Sequence, residues 1–310
     1  MQGQLAPIAL FVYRRPEHTR KTLEFLQCNS LAKETELFVF SDAARSTSIE
    51  PEVEAVRKLV RALSGFKNVT LVEREKNLGL SRSIIGGVSE ILKLFPRVIV
   101  MEDDLVSAPN MLNFMNEALE RYENCPRAFS VTAFQFPFSL PREYAGGDAY
   151  FSYRASSWCW ATWAGRWANV DWSVGDYAEF LKSEKARDLF ARGGGDLQSM
   201  LEAQMQGKID SWAIRWNYFH YKKEGYCLYP RYSKIQNIGF DGSGTHEGSS
   251  DKYEVRFDDR DRSLGFAFPE RVEVDPEIGR TVKAFNSMPF KTRVKMAAKR
   301  ALVRLGLIGS

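Results

Sequence analysis

Residues 97–105 read R-V-I-V-M-E-D-D-L, and this stretch decides the fold. Val98, Ile99, Val100 and Met101 form an unbroken apolar run of strand length, the pattern of a strand buried on both faces. The run ends in three consecutive acids, Glu102, Asp103 and Asp104. Ser107, Pro109 and Asn110 follow as a helix start, with Ser107 the expected cap. The acids therefore fall at the carboxyl end of a central strand, where open α/β sheets bind their ligands. Three anions this close raise one another's proton affinity unless a cation lies among them. A hard divalent ion, Mg2+ or Mn2+, suits oxygen ligands and bridges well to substrate phosphates. An isolated E-D-D reads more plainly as a solvated acidic loop. The buried strand before it favours the ligand-binding reading.

Toward the amino terminus, Pro7–Tyr13 reads as a first buried strand, turning at Arg14-Arg15-Pro16 into a helix that runs to about Cys28. Leu37–Phe40 is a second strand, ending in Ser41 and Asp42. Val53, Val56, Val60 and Leu63 recur at helical spacing, and Val69–Val72 gives a third strand. Asn77-Leu78-Gly79-Leu80-Ser81 makes a turn and opens a helix to about Phe95. Beyond the acids come a helix from about Asn110 to Tyr122 and a strand at Phe129–Thr132. Repeated βα units specify an α/β fold, a mostly parallel sheet with helices on both faces. Neither a GxGxxG nor a GxxxxGK[ST] stretch is present, so no dinucleotide fingerprint or P-loop is expected. Arg14 and Arg15 follow the first strand and Asp42 the second, on the rim that carries the acids. Asp42 suits a base or ribose, and Arg14 and Arg82 suit a phosphate, with a surface ion pair the alternative for each.

From about Phe134 the composition changes. Tyr150–Tyr153 reads as a strand, and Trp158, Trp160, Trp163 and Trp167 then crowd one short segment. Two readings stay open: core packing, or a wall on which sugar rings stack. If the segment is extended, Trp158 and Trp160 share a side. Asp210 precedes an amphipathic helix from about Trp212 to Glu224, where it is either an N-cap or a general base. A strand at about Cys227–Tyr229 leads to N-I-G-F-D-G-S-G-T-H, a glycine-rich loop carrying Asp241 and His246. His246 is a candidate metal or phosphate ligand.

With 310 residues, 44% hydrophobic and 26% charged, the chain has ample material for a core. Cys28, Cys125, Cys159 and Cys227 fit no metal spacing and suggest free thiols in a reducing compartment. No signal peptide or bilayer-length apolar run is visible, so the expected location is cytoplasmic. The total charge is +4, but residues 286–310 carry six Lys and Arg and no acid, which leaves −2 on the rest. By charge the body is not a nucleic-acid binder. Val294, Ala298, Ala301, Leu302 and Leu305 give the tail an apolar helical face between basic residues. Such a helix lies either on an anionic membrane surface or against the fold.

Four segments in this order carry a family resemblance: A-P-I-A-L-F-V-Y-R-R-P-E-H-T, N-L-G-L-S-R, V-I-V-M-E-D-D-L, and I-D-S-W with N-I-G-F-D-G-S-G-T-H. Together they span residues 6–246. The chain resembles GT-A-fold nucleotide-sugar glycosyltransferases of the bacterial family-2 type and, in its E-D-D segment, the N-acetylglucosaminyltransferase I family. The resemblance implies a GT-A (Rossmann-like) fold with a nucleotide-sugar-binding half at 1–133, an acceptor-binding and catalytic half at 134–285, and a basic tail at 286–310. It implies donor contacts from Tyr13, Arg14, Asp42, Asn77, Arg82, Glu102 and Asp103, with Asp104 and His246 on Mn2+ or Mg2+. Asp210 matches the catalytic base, although this chain has Asp210-Ser211 where the N-acetylglucosaminyltransferase I pattern has two aspartates. Trp158, Trp160, Trp212 and Asp241 are the expected acceptor residues. The activity implied is metal-dependent, inverting transfer from a UDP-sugar to a glycan or lipid-linked acceptor in cell-surface polysaccharide synthesis. A sugar-phosphate nucleotidyltransferase would use a similar platform, but a glycine-rich activation loop with lysine is missing near the amino terminus. A non-catalytic carbohydrate-binding protein would need the aromatics and not the acids.

Overall fold

The computed structural model describes residues 4–141, 144–240, 255 and 265–287. Asp241, His246 and the tail beyond residue 287 lie outside the described residues.

The chain opens with β1 (Ile8–Val12), α1 (Pro16–Gln27), β2 (Glu36–Ser41), α2 (Glu50–Arg61), β3 (Asn68–Glu73), α3 (Leu80–Leu92) and β4 (Arg97–Glu102). It continues through β5 (Leu105–Ser107), α4 (Met111–Tyr122), β6 (Ala128–Thr132), β7 (Ala149–Ser152), β8 (Trp160–Trp163) and the single turn α5 (Ala164–Trp167). Then come α6 (Tyr177–Lys182), α7 (Glu184–Phe190), α8 (Leu197–Met205), α9 (Trp212–Lys222), β9 (Tyr226–Pro230), β10 (Ile235–Asn237) and α10 (Pro276–Phe285).

Eight strands form one sheet in the order β3-β2-β1-β4-β8-β6-β9-β7. β1, β2, β3 and β4 are parallel, with β1 pairing both β2 and β4. β8 runs antiparallel to β4 and to β6, so β6 and its parallel neighbour β9 point the same way as β1–β4. The α/β class with a mostly parallel sheet is therefore as expected. Strands from both sides of residue 133 interleave, since β8 lies between β4 and β6.

Alternation along the strands sends side chains to two cores. Ile8, Leu10 and Val12 of β1 and Ile99 and Met101 of β4 pack with α1, α2, α4 and α10 on one face. Ala9 and Phe11, with Val98 and Val100, pack with α3 and α9 on the other. Gly87 lets α3 approach closely: a Cβ there would lie 2.8 Å from the Phe11 ring and 3.2 Å from Phe40.

Three local expectations are corrected. Ser107 is not a helix cap; it ends β5, which pairs antiparallel with β10 from the far end of the chain, and its hydroxyl accepts from Asn29 Nδ2 at 2.9 Å. Trp158 and Trp160 do not share a side. Cys159 has φ of 40°, which turns the chain between them. Trp158 then packs on the first face and Trp160 on the second. The cap of α9 is Ser211, whose side chain accepts from the Ile214 N–H at 3.3 Å, and not Asp210.

Candidate active site

Because β1, β2 and β4 are parallel, the residues after their carboxyl ends share one rim. Tyr13–Arg15 leave β1, Asp42 leaves β2, and Asp103 and Asp104 leave β4.

Asp42 is buried, and backbone N–H groups saturate its carboxylate. Leu78 N donates at 2.9 Å, Gly79 N at 2.9 Å and Ala43 N at 3.1 Å. Its role in this structure is to lock the Asn77-Leu78-Gly79 turn onto the end of β2. Asn77 supports the same turn, donating to the Ala43 carbonyl at 2.6 Å and accepting from Arg45 Nε at 3.0 Å. The Tyr13 hydroxyl accepts from Arg45 N at 3.2 Å. Tyr13, Asp42 and Asn77 are thus brought together, with Arg45, to which the sequence pointed in no way, bonded to Tyr13 and Asn77.

The acids lie alongside. Arg15 Nη2 donates to Asp103 Oδ1 at 2.6 Å and to Asp104 Oδ2 at 2.9 Å. Asp103 Oδ2 also accepts from Tyr13 N at 3.3 Å, and its carbonyl accepts from Thr22 Oγ1 at 2.8 Å. Burial opposes the charge on Arg15, but the two carboxylates overcome it and hold the guanidinium above its ordinary value. Burial raises Asp103 too, Asp104 adds to the rise, and Arg15 only partly offsets them. Glu102, with no ion pair to a described residue, is pushed up to about 8, first by burial and then by Asp104 and Asp103, with Arg15 offsetting them in part. One guanidinium does not neutralise three acids.

The β5–β10 ribbon brings the distant N-I-G-F segment onto this cluster. Ile238 N donates to the Asp104 carbonyl at 2.8 Å, and Gly239 N donates to Asn237 Oδ1 at 2.7 Å. A Cβ at Gly239 would overlap the Asp104 carboxylate and lie 3.1 Å from Arg15 Nη1, so any other residue would have to displace those side chains. Arg15 and Gly239 are site residues to which the sequence reading gave no role. The signals were an arginine straight after the first strand and a glycine within N-I-G-F.

Other expected residues stand elsewhere. Arg14 is exposed and 3.7 Å from Glu52, the surface ion-pair alternative. Arg82 is exposed at the start of α3 and makes no ion pair with a described residue. Trp160 and Trp212 are corrections: they are 0% and 3% exposed and form a core, not an acceptor wall. Trp160 stacks on Trp212 at 4.9 Å and Trp167 at 5.5 Å, with Trp216 at 5.8 Å. Burying their large areas together outweighs exposing them. Trp158 alone is half-buried, 4.6 Å from Phe134 and 5.7 Å from Phe240.

Asp210 is exposed and 3.1 Å from Arg215, which also donates to the Ser81 hydroxyl and to the Trp172 carbonyl at 3.3 Å. Ser81 sits in the first turn of α3, directly after the Asp42-locked turn. Arg215 therefore ties the start of α9, with Asp210, to the start of α3 beside the Asp42-locked turn.

Among the described residues no three His, Cys, Asp or Glu side chains converge as a ready metal cage. His220 is fully buried and pushed down to about 3 by that burial, a neutral core residue. Asp103 and Asp104 nevertheless fit a hard ion that is held by one or two carboxylates and completed by substrate phosphates.

No family model matches the chain, and no curated protein matches it. Solved structures do. The mannosyltransferase PcManGT from Pyrobaculum calidifontis, in complex with GDP-Man and Mn2+, is 15% identical over 52% of this chain and 45% of its own, with a TM-score of 0.34. TarS of S. aureus is 14% identical over 53% of this chain and 30% of its own, at 0.33. The apo form of mouse xyloside xylosyltransferase 1 is 14% identical over 71% of this chain and 81% of its own, at 0.36. The chain thus spans less than half the length of the first two. At such identities and scores the function rests on this chain's own residues.

Proposed function

We propose that this chain is a metal-dependent glycosyltransferase that moves a sugar from a nucleotide-diphosphate donor to a hydroxyl of a glycan or lipid-linked acceptor, with inversion. The observation that carries the reading is the shared rim. The turn locked by Asp42 and the three acids lie on either side of the end of β1, where Tyr13 N and Arg15 both donate to Asp103 and Arg15 also to Asp104. Tyr13, Arg45 and Asn77 form the nucleoside platform, and Glu102 and Asp103 face the donor's ribose and sugar. Asp104, with Asp103 beside it, would hold Mg2+ or Mn2+. When bound, that ion supplies positive charge to the leaving diphosphate.

Asp210 takes the proton of the acceptor hydroxyl as that oxygen attacks the anomeric carbon and the bond to the diphosphate breaks. It suits this task because Ser211 caps α9 and leaves the Asp210 carboxylate exposed. Trp158 and Phe240 offer the aromatic surface for the acceptor. The decisive experiment is calorimetric titration of UDP and GDP, each with and without Mn2+, followed by a nucleotide-sugar hydrolysis panel. Binding of one nucleotide, strengthened by Mn2+, is expected together with slow donor hydrolysis. No binding of either under any condition would overturn the proposal.

A further inference from the structure

We propose that Arg15 is a binding residue for the donor's diphosphate, parked on Asp103 and Asp104 while the site is empty. The proposal rests on the nucleotide-sugar reading above. Arg15 contacts both acids through a single nitrogen, Nη2, at 2.6 and 2.9 Å. A guanidinium offers five N–H donors in a planar fork, and its strongest pairs with carboxylate or phosphate use two parallel bonds. One nitrogen shared between two carboxylates leaves the fork's bidentate capacity unspent. The side chain is about one-fifth exposed.

The acids do not depend on Arg15 for their place. Asp103 is held by Tyr13 N and Thr22 Oγ1, and Asp104 by Ile238 N through its carbonyl. Among the described residues Arg15 is the only cation bonded to them. Neutralising Asp103 and Asp104 therefore frees a guanidinium at the place where a diphosphate is to be bound. The same side chain competes with a divalent ion when no nucleotide is present, and joins that ion's work when one is. Metal and donor then favour binding together over binding singly.

The test compares wild type with Arg15→Met in two titrations: Mn2+ alone, and UDP or GDP at saturating Mn2+, with Asp104→Asn as the reference for metal bound at this site. Losing a charge-assisted bond to phosphate weakens nucleotide binding at saturating Mn2+ by about tenfold or more. Losing the parked cation strengthens Mn2+ binding, and Asp104→Asn abolishes it. An arginine that served only to hold the fold would weaken both ligands together, so the opposite signs are diagnostic. Unchanged nucleotide binding, or Mn2+ no tighter than in wild type, overturns the proposal while leaving the nucleotide-sugar reading intact. If wild type binds neither nucleotide, both fall. Should Arg15→Met fail to fold, Arg15→Lys keeps the charge without the fork: nucleotide binding weakens and Mn2+ binding stays as in wild type. Equal nucleotide binding by Arg15→Lys and wild type would then be the overturning result.

Discussion

Replacing Glu102 by Gln isolates the cost of ionising a buried carboxylate beside Asp104 and Asp103. Glu102 is pushed up to about 8 from an ordinary 4.5, so the folded protein holds its proton more tightly than the unfolded chain does. The stability this supplies is complete below about pH 4.5 and is lost as pH rises through about 8. Glu102→Gln has no charge to develop. Its thermal midpoint in metal-free buffer should therefore match wild type in acid and exceed it increasingly from pH 5 to pH 9. Parallel midpoints across that range would show that Glu102 ionises freely. At Asp210, change to Asn should lower turnover by about 10²–10⁴, the usual contribution of a general base. Nucleotide affinity and thermal midpoint should stay near wild type, because Ser211 is the cap. Kinetics and melting on the same preparation separate the two roles. That Asp42, Asp103 and Asp104 would share one rim was legible because each closely follows a buried apolar run at the carboxyl end of a parallel strand. Arg15 was not, since an arginine in a turn is an ordinary surface residue until its partners are known. Trp160 and Trp212 were ambiguous for the opposite reason: large aromatics serve cores and sugar sites equally well, and only burial decides.

Among the elements, α3 is placed by a residue with no side chain. Gly87 faces Phe11 and Phe40, and an added methyl would meet both rings. Overpacking of this kind costs about 1–3 kcal/mol, so Gly87→Ala should be destabilised by that amount in urea denaturation. An unchanged midpoint would mean that α3 can shift away from the sheet freely. The bounds of β1–β4 were readable to within a residue or two because buried parallel strands are continuous apolar runs with sharp ends. The β5–β10 ribbon was not readable. Each strand has three residues, too few for a period, and its partner is more than a hundred residues away. Yet this ribbon delivers Gly239 to Asp104, so part of the site was hidden with it. The α6–α8 segment escaped for a related reason: its short helices bury few residues each, and they pack mainly with α9 in a small core of their own.

At the scale of the whole molecule, charge is concentrated at the carboxyl end. No helix among the described residues is long and apolar enough to cross a membrane. Residues 286–310 carry +6, and each basic residue near an anionic surface is worth about 1 kcal/mol. The full chain should float with anionic liposomes in low salt, and a chain truncated at Asn286 should not. Equal flotation of both would assign membrane contact elsewhere. The sheet itself carries a further consequence through the place of β8. A chain emerging from the ribosome presents β4 and then β6, but the strand that joins them comes later and enters from between. Until residues 160–163 arrive, β4 keeps one unpaired flank, a ready template for a strand of another nascent chain. A translational pause or a proteolytic nick between β6 and β8 is therefore the interval most exposed to misassembly. A split version of this protein cut there should need both pieces present together to stay dispersed.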